Sequence, residues 1–385
     1  MYFLSIACTS SPMIGVGLTQ TIERIKVAAI IFAAATFTVG QVSELSETAY
    51  KECWSHPISG NVIGTSINSG DRIVFAESGG TIRAIDVQDG EALWSAELGG
   101  QIVSNLIADD RYIYVATTQN IGSETHKSAA LLRSLNPESG IPVNSTTIQS
   151  NGPFRIGLVK DGVVLIDRGS IIWSFADGLE SIRWMRRSDE SIANDPLFSN
   201  ETVIFISEDN KTVVISTEDG KVLDRRDSKI KPSAAIALDA AVAVVGDRRG
   251  NLKQFQFGRE SPAWTFRTGG SIAHILTAGD RLIVSSFDNF VYMISSSSGQ
   301  VIWRRRLDGR LRFRPVVNDG AIFLSVNGQP EIDVVSVDNG KTINRIQLDK
   351  NSIPVDVLHD KLNQMIVIQT LDRIAAYKTS GCSKK

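Results

Sequence analysis

Arginines crowd one stretch of this 385-residue chain. Three are consecutive, Arg304-Arg305-Arg306, and Arg310, Arg312 and Arg314 follow at alternate positions. Alternate residues of a strand share one face, and a row of guanidinium groups can hold carboxylates through paired hydrogen bonds. On a solvated edge strand, the same charges would instead discourage pairing with another strand. We name Arg310, Arg312 and Arg314 as candidate partner-binding residues and keep the second interpretation open.

Other residue types that commonly carry chemistry are sparse. Four histidines and three cysteines are present without metal-ligand spacing: His56, His126, His274, His359, Cys8, Cys53 and Cys382. The chain contains no G-x-S-x-G nucleophile motif, no phosphate-binding loop and no H-E-x-x-H. We therefore predict no catalytic, cofactor-binding or metal-binding residues, and a protein that is not an enzyme.

The overall charge excludes one class of partner. The 40 Lys and Arg residues nearly balance the 42 Asp and Glu residues, whereas proteins that bind nucleic acid in bulk are usually clearly basic. Apolar residues make up 42% of the chain, which is enough for a packed core, and the 31 glycines are typical of a fold with many tight turns. We expect protein partners and no nucleic acid.

The elements that must position the arginines repeat along the chain. Residues 72–94 contain three short strand-like runs with an Asp-Gly turn before the last, and residues 281–303 repeat the phrase. It recurs about every 40 residues, eight times in all. This period predicts an all-β fold over residues 46–385, an eight-bladed β-propeller of four-stranded antiparallel blades, which we expect to be monomeric.

Five of the eight phrases end in tryptophan, at Trp54, Trp94, Trp184, Trp264 and Trp303. Because each lies at the same place on a fourth strand, we predict that these side chains pack between neighbouring blades as structural residues. A role in stacking on a cofactor is the alternative.

The two ends of the repeat array predict how the ring closes. The last three strands near the C-terminus have no fourth strand after them, while residues 51–54 supply an extra one at the front. The N-terminal strand should therefore complete the last blade and remove open strand edges. Cys53 and Cys382 fall near this closure, which gives the hypothesis of a disulfide in an oxidising compartment. The alternative is a buried Cys53 thiol and a free Cys382.

Residues 1–45 differ from the repeats. An apolar run of about 13 residues, 27–39, follows Arg24 and Lys26; it has the length of a signal-peptide core and is short for a membrane-spanning helix. We predict a signal peptide cleaved near Gly40, with Met1 or Met13 as the start, or else an uncleaved N-terminal membrane anchor. Either makes the propeller extracytoplasmic, with the N-terminal segment as its sole link to a membrane.

The phrase from Arg83-Ala84-Ile85-Asp86 to Trp94 resembles the repeat of pyrroloquinoline-quinone-type propellers over roughly residues 50–381. In length and blade count the chain is most similar to the BamB family of periplasmic scaffolds in outer-membrane protein assembly. The resemblance implies a non-catalytic propeller that binds protein partners of the cell envelope. Typical members are lipoproteins, whereas the residues before Cys8 and Cys53 do not fit a lipid-attachment motif.

Two alternatives come from the same resemblance and from residues 1–45. One is an oxidoreductase dependent on pyrroloquinoline quinone, although the chain lacks the adjacent cysteine pair often found beside that cofactor. The other is a sensor or adhesion propeller anchored in the inner membrane.

Two further features could bear on binding. The second unit is lengthened by residues 118–130, which form a partner-contacting loop or merely a mobile polar one. Aligned first strands predict a polar channel lining, consisting of Thr65, Asn105, Asp195, Arg314 and Asp356.

Overall fold

A computed structural model describes residues 49–58, 62–119, 129–150, 152–193, 195–227, 232–239, 241–350 and 352–382. These residues form eight four-stranded antiparallel sheets arranged as the blades of a propeller. The predicted all-β, eight-bladed fold is confirmed.

The first strand, β1 (Lys51–Pro57), belongs to the last blade, and the others follow in chain order. Blades 1 to 4 consist of β2 (Val62–Ser69), β3 (Arg72–Glu77), β4 (Thr81–Asp86), β5 (Ala92–Glu97); β6 (Ile107–Ala108), β7 (Ile113–Gln119), β8 (Ala129–Leu135), β9 (Pro142–Ile148); β10 (Phe154–Val159), β11 (Gly162–Asp167), β12 (Ile171–Ala176), β13 (Ile182–Arg187); and β14 (Leu197–Phe198), β15 (Thr202–Ile206), β16 (Lys211–Ser216), β17 (Val222–Asp227). A 3₁₀ turn, Asp177–Leu179, joins β12 to β13.

Blades 5 to 8 consist of β18 (Pro232–Ala237), β19 (Val242–Asp247), β20 (Asn251–Gln256), β21 (Trp264–Arg267); β22 (Ile272–Ala278), β23 (Arg281–Ser286), β24 (Phe290–Ser295), β25 (Val301–Arg306); β26 (Val316–Asn318), β27 (Ala321–Ser325), β28 (Glu331–Ser336), β29 (Thr342–Gln347); and β30 (Pro354–Asp360), β31 (Met365–Thr370), β32 (Arg373–Lys378) with β1. The first strands of neighbouring blades contact one another, β18 with β22 and β2 with β30 for example. The first strand of each blade is therefore innermost.

The pattern of buried and exposed residues in a strand depends on the position of that strand in its blade. The second strands are nearly continuous apolar runs, and both faces of β11 and β31 are buried between neighbouring sheets. The outermost strands β5, β13 and β25 alternate between exposed and partly buried residues, because only one of their faces packs on the next blade.

The N-terminal strand closes the ring, as predicted. Sheet order in blade 8 is β30-β31-β32-β1, and Trp54 of β1 lies opposite Ala376 of β32. The apolar core lies between blades rather than in one central mass. Between blades 8 and 1, for instance, Phe75 and Ile85 pack with Val367 and Trp54.

The eight blades belong to one compact unit. The predicted signal peptide or anchor, residues 1–45, lies outside the described residues. Within the described ranges, no helix has the length and apolar character needed to cross a membrane.

Candidate functional site

The five repeat tryptophans each join two blades. Every indole Nε1–H donates a hydrogen bond to a backbone carbonyl in the turn between the third and fourth strands of the following blade. The pairs are Trp54 with Val87 (3.0 Å), Trp94 with Pro137 (2.9 Å), Trp184 with Thr217 (2.9 Å), Trp264 with Ser296 (2.8 Å) and Trp303 with Val337 (2.8 Å). The rings thus lie between blades.

A glycine faces each of these indoles. In the order of the tryptophans, they are Gly90, Gly140, Gly220, Gly299 and Gly340. Each has φ between 68° and 75°, which L residues with a side chain adopt only at a cost. A Cβ atom at any of the five would come within 2.4 to 2.7 Å of the ring. The positive φ of these five residues and the close approach of the indole rings therefore both require glycine at these positions.

A second donor lies two residues after several of the tryptophans, and the sequence alone did not reveal it. The guanidinium of Arg186 donates to the carbonyl of Gly220, Arg305 Nη1 donates to that of Gly340 at 3.0 Å, and a ring nitrogen of His56 lies 2.9 Å from that of Gly90. The available signal was the spacing Trp-x-Arg or Trp-x-His, which needs the inter-blade geometry to interpret.

Two of the blades without the tryptophan use other donors near the same place. Asn144 stands at the tryptophan position of blade 2 and donates from Nδ2 to the carbonyl of Gly178 in blade 3 at 2.9 Å. In blade 4, Arg226 donates from Nη1 to the carbonyl of Gln256 in blade 5 at 3.2 Å, and Asp224 at the tryptophan position accepts from Arg226 Nε at 2.7 Å.

A disulfide joins Cys53 to Cys382 in the structure, with 5.2 Å between the two Cα atoms, a usual separation for such a bond. Cys53 is the bulged residue next to Trp54 on β1, the place that Leu93 occupies on β5. The bond lies where the other blades have the chain turn from third to fourth strand. It therefore links covalently the two strands that the chain itself leaves unconnected.

The candidate partner-binding arginines lie just before a regular strand rather than within one. Arg310, Arg312 and Arg314 lie in the connection from β25 to β26. Pro315 is one physical reason, because it lacks an N–H for a strand ladder and holds the residue before it extended. Leu311 nevertheless forms a β-bridge with Val326. Exposed arginines alternate here with the partly buried Leu311 and Phe313.

The three arginines have different surroundings. The guanidinium carbon of Arg310 lies 4.9 Å from the ring centre of Phe287. Arg312 donates from Nε to the carbonyl of Pro354 at 2.7 Å and from Nη1 to Asn327 Oδ1 at 3.1 Å, so it fastens blade 7 to blade 8. The charge of Arg314 acts on His274, where burial and this positive neighbour together lower the histidine pKa to about 4.

Polar residues in or just before the first strands tie blades together. Asn105 exchanges two hydrogen bonds of 2.9 Å with the backbone of Ile156, and Asp195 accepts from Arg155 Nε at 2.6 Å. Of the other predicted channel residues, Thr65 is exposed and Asp356 is partly buried. Burial raises the pKa of Asp356 to about 6, partly offset by the backbone N–H of Val357.

We expect Asp356→Asn to stabilise the protein near pH 7 and to change little near pH 4. Between the ordinary pKa of 3.8 and the folded-state value of about 6, the folded protein holds a proton that the unfolded chain has released, so stability falls as pH rises. Above this window wild type has a desolvated carboxylate at residue 356, whereas the variant has an uncharged amide. The free energy of unfolding of the variant should therefore be about 1–2 kcal/mol higher, after allowance for solvent screening.

Urea unfolding at the two pH values measures the difference. The lowered pKa of His274 has the opposite effect: it makes stability rise with pH between about pH 4 and 6.5. The variant His274→Gln removes this contribution and serves as a control. Equal stability of Asp356→Asn and wild type near pH 7 would contradict the prediction.

The described residues offer little for metal chemistry: no three of their His, Cys, Asp or Glu side chains are grouped in a way that could hold a metal ion. The lengthened loop at residues 118–130 lies largely outside the described residues.

Comparison with protein families and known structures extends these observations. The family model described as outer membrane protein assembly factor BamB matches residues 27–153, 128–254 and 248–353. A curated relative, the outer membrane protein assembly factor BamB of Shewanella oneidensis, is 21% identical over 268 residues. That match spans 66% of this chain and 66% of the relative, slightly under two thirds of its length.

Three solved structures share the fold. BamB from Moraxella catarrhalis has a TM-score of 0.61 at 15% identity, covering 88% of this chain and all of that one. The computationally designed Ika8 protein has a TM-score of 0.69 at 14% identity, covering 85% and 100% of the two chains. The C-terminal WD40 domain of Sif2 has 0.67 at 12% identity, covering 86% and 98%.

At such low identity these structures establish the fold alone. The family model, however, covers most of the chain, including the first seven blades. The chain therefore belongs to the family described as outer membrane protein assembly factor BamB.

Proposed function

We propose that this chain is a non-catalytic, extracytoplasmic scaffold that binds protein partners of the cell envelope and takes part in outer-membrane protein assembly. The observation that carries the proposal is the family match, which runs from residue 27 to residue 353 and so spans successive repeats rather than one motif. The curated relative is described as an outer membrane protein assembly factor, which supports this process.

Several features of the chain agree with an extracytoplasmic location. Residues 1–45 carry the signal-like apolar run, and we propose that they direct the propeller to the periplasm or hold it at the inner membrane. Disulfides persist in oxidising compartments and are rare in reducing ones, so a Cys53–Cys382 bond supports the same location.

Crosslinking in intact cell envelopes, followed by mass spectrometry, tests the proposal. We expect partners among proteins of the outer-membrane assembly machinery, and reduced amounts of outer-membrane proteins when the gene is deleted. Recovery of unrelated inner-membrane partners, together with normal outer-membrane protein content, would instead favour the anchored sensor or adhesion propeller.

The quinone-dependent oxidoreductase is tested separately. Purified protein is mixed with pyrroloquinoline quinone and Ca²⁺, and cofactor absorbance and the melting temperature are recorded. We expect no retained absorbance after gel filtration and no rise in melting temperature. Either change would contradict a non-catalytic scaffold.

Arg310 and Arg314 are proposed to contribute to partner binding. Replacing both with serine is expected to reduce crosslinking to envelope partners severalfold at low salt, since exposed charges act mainly through steering and screened attraction. Arg312→Ser is measured alone, because loss of its bond to Pro354 also weakens the blade 7–blade 8 contact. Undiminished crosslinking by the double variant would exclude these two residues from the interface.

A further inference from the structure

One sector of the propeller carries a concentration of exposed arginines. We define the arginine sector as Arg248, Arg249, Arg267, Arg306, Arg310 and Arg312. All six lie at or in connections between second and third strands, or between one blade and the next, in blades 5 to 7. In antiparallel blades these two kinds of connection emerge on the same face, called here the upper face.

These six positive charges lack carboxylate partners. Within the described ranges, none of the six guanidinium groups has a carboxylate oxygen within 4.0 Å, although many arginines elsewhere do. Arg225 pairs with Glu190 at 3.1 Å and Arg373 with Asp349 at 2.8 Å, for example. Charges of one sign left together repel one another, so the sector is suited to a ligand that supplies the opposite sign.

The backbone beneath the arginine sector is fixed by hydrogen bonds between successive connections. These run from Thr268 N to Gly250 O (2.9 Å), Phe287 N to Ser271 O (2.8 Å), Leu307 N to Asn289 O (2.8 Å) and Asn327 N to Arg310 O (2.8 Å). A surface held in this way loses little conformational entropy when a ligand binds, which favours affinity.

An aromatic cleft of about 650 Å³ adjoins the sector. Its walls include Phe266, Phe290 and Tyr292, with Arg267 and Arg304 beside them. One carboxylate, that of Asp288, also lines the cleft, and it accepts hydrogen bonds from the Tyr292 hydroxyl (2.7 Å) and the backbone N–H of Gly269 (2.8 Å). The ring of Tyr292 lies 5.5 Å from that of Phe266 and 5.9 Å from that of Phe290. These aromatic surfaces can receive a large apolar or aromatic side chain of a ligand.

Arginine and aromatic side chains are stacked in this region. The guanidinium carbon of Arg304 lies 5.5 Å from the ring centre of Phe290, and that of Arg310 lies 4.9 Å from the ring centre of the half-exposed Phe287. A guanidinium stacked on a ring keeps its N–H groups pointing outward in its own plane, where they can form paired hydrogen bonds with a carboxylate.

The opposite face has the opposite charge. The turn between the first and second strands contains Asp or Glu in each of blades 1 to 7, among them Asp239, Asp280 and Asp319 of blades 5 to 7. Such residues favour tight turns, so their presence there is explained by turn chemistry. Their consequence is that an acidic ligand is attracted to the upper face and repelled from the lower one.

We propose that the arginine sector and the aromatic cleft together bind an acidic polypeptide segment that carries aromatic or large apolar side chains. This inference rests on the proposed scaffold function and names the chemistry of one partner. A polypeptide is favoured over a membrane surface because the exposed large apolar side chains of the described residues here are scattered, Phe287 and Ile353 in connections of the upper face and Val301 at the cleft, whereas interfacial membrane binding buries a broad apolar face.

The test uses the purified propeller and a fluorescein-labelled synthetic peptide of about 12 residues, mostly glutamate with two phenylalanines. Fluorescence anisotropy at low salt gives the dissociation constant. We expect the variant Arg249→Ser/Arg267→Ser/Arg310→Ser to bind at least about tenfold more weakly. The matched control Lys160→Ser/Lys341→Ser/Lys361→Ser removes three exposed lysines from turns of the lower face and should bind like wild type.

Two further arms separate the contributions. A peptide with alanine in place of phenylalanine, or the variant Phe287→Ala, should weaken binding severalfold while leaving its salt dependence in place. Vesicles of phosphatidylglycerol, examined by flotation, should bind wild type and the arginine variant alike. Stronger retention of wild type on vesicles would overturn the assignment to a polypeptide.

The remaining outcomes are also decisive. Absence of peptide binding, or equal losses in the arginine and lysine variants, would overturn the inference even if envelope crosslinking succeeds. The protein could also bind the peptide specifically but yield no assembly partners in envelopes. That result would support the inferred binding surface and contradict the proposed role in outer-membrane assembly.

Discussion

Gly299→Ala is expected to destabilise the propeller by about 3 kcal/mol or more, whereas Gly279→Ala in the same blade should cost only about 1 kcal/mol. Both glycines have positive φ, 70° and 63°, so both substitutions bear the cost of a left-handed conformation, about 1–2 kcal/mol. They differ in surroundings. A Cβ at Gly299 would lie 2.5 Å from the ring of Trp264, while a Cβ at Gly279 meets nothing within 4 Å.

The additional loss at Gly299 comes from displacement of the indole. If Trp264 moves, its 2.8 Å hydrogen bond to the carbonyl of Ser296 is also lost, and overpacking of this kind costs about 1–3 kcal/mol. Urea unfolding of both variants measures the difference. Equal losses of unfolding free energy in the two variants would contradict the prediction. They would show that Gly299 is needed only for its backbone conformation and not for the close approach of the Trp264 ring.

Removal of the disulfide is expected to have the second large effect. Cys53→Ser/Cys382→Ser should lower the free energy of unfolding by about 2–4 kcal/mol under non-reducing conditions, because the bond restricts the unfolded chain. The two cysteines are 329 positions apart, so the restriction covers almost the whole propeller.

Reduction supplies an internal control. Dithiothreitol should bring wild type to the stability of the double variant and leave the variant itself unchanged. Cys8→Ser, which changes the third cysteine, should have no effect. Two titratable thiols at Cys53 and Cys382 in oxidised, unfolded wild type would show that the bond does not form in solution.

The blade count and the closure could be predicted because their signals are local. Each turn before a fourth strand, such as Asp89-Gly90, Ser298-Gly299 or Asn339-Gly340, indicates one blade on its own, and a missing fourth strand at one end matches a spare strand at the other. The bulge that places Cys53 beside the turn also repeats in register, since Leu93 occupies the same position in β5.

The binding surface could be predicted only in part. The run of arginines was visible in the sequence, and Arg310, Arg312 and Arg314 are exposed at alternate positions although they lie outside a regular strand. Arg248 and Arg267 join Arg310 only because connections of three blades meet on one face. The aromatic cleft was missed for the same reason, since Phe266 and Phe290 come from different blades.

The pairing of β1 with β32 sets an order of events for a chain that is synthesised from its N-terminus. The strand at residues 51–57 is made early, whereas its partner at residues 373–378 is made near the end. Until that partner is available, the earlier strand has an unsatisfied edge that invites pairing with other chains. Blade 8 and the Cys53–Cys382 bond can therefore form only after nearly the whole propeller has been synthesised.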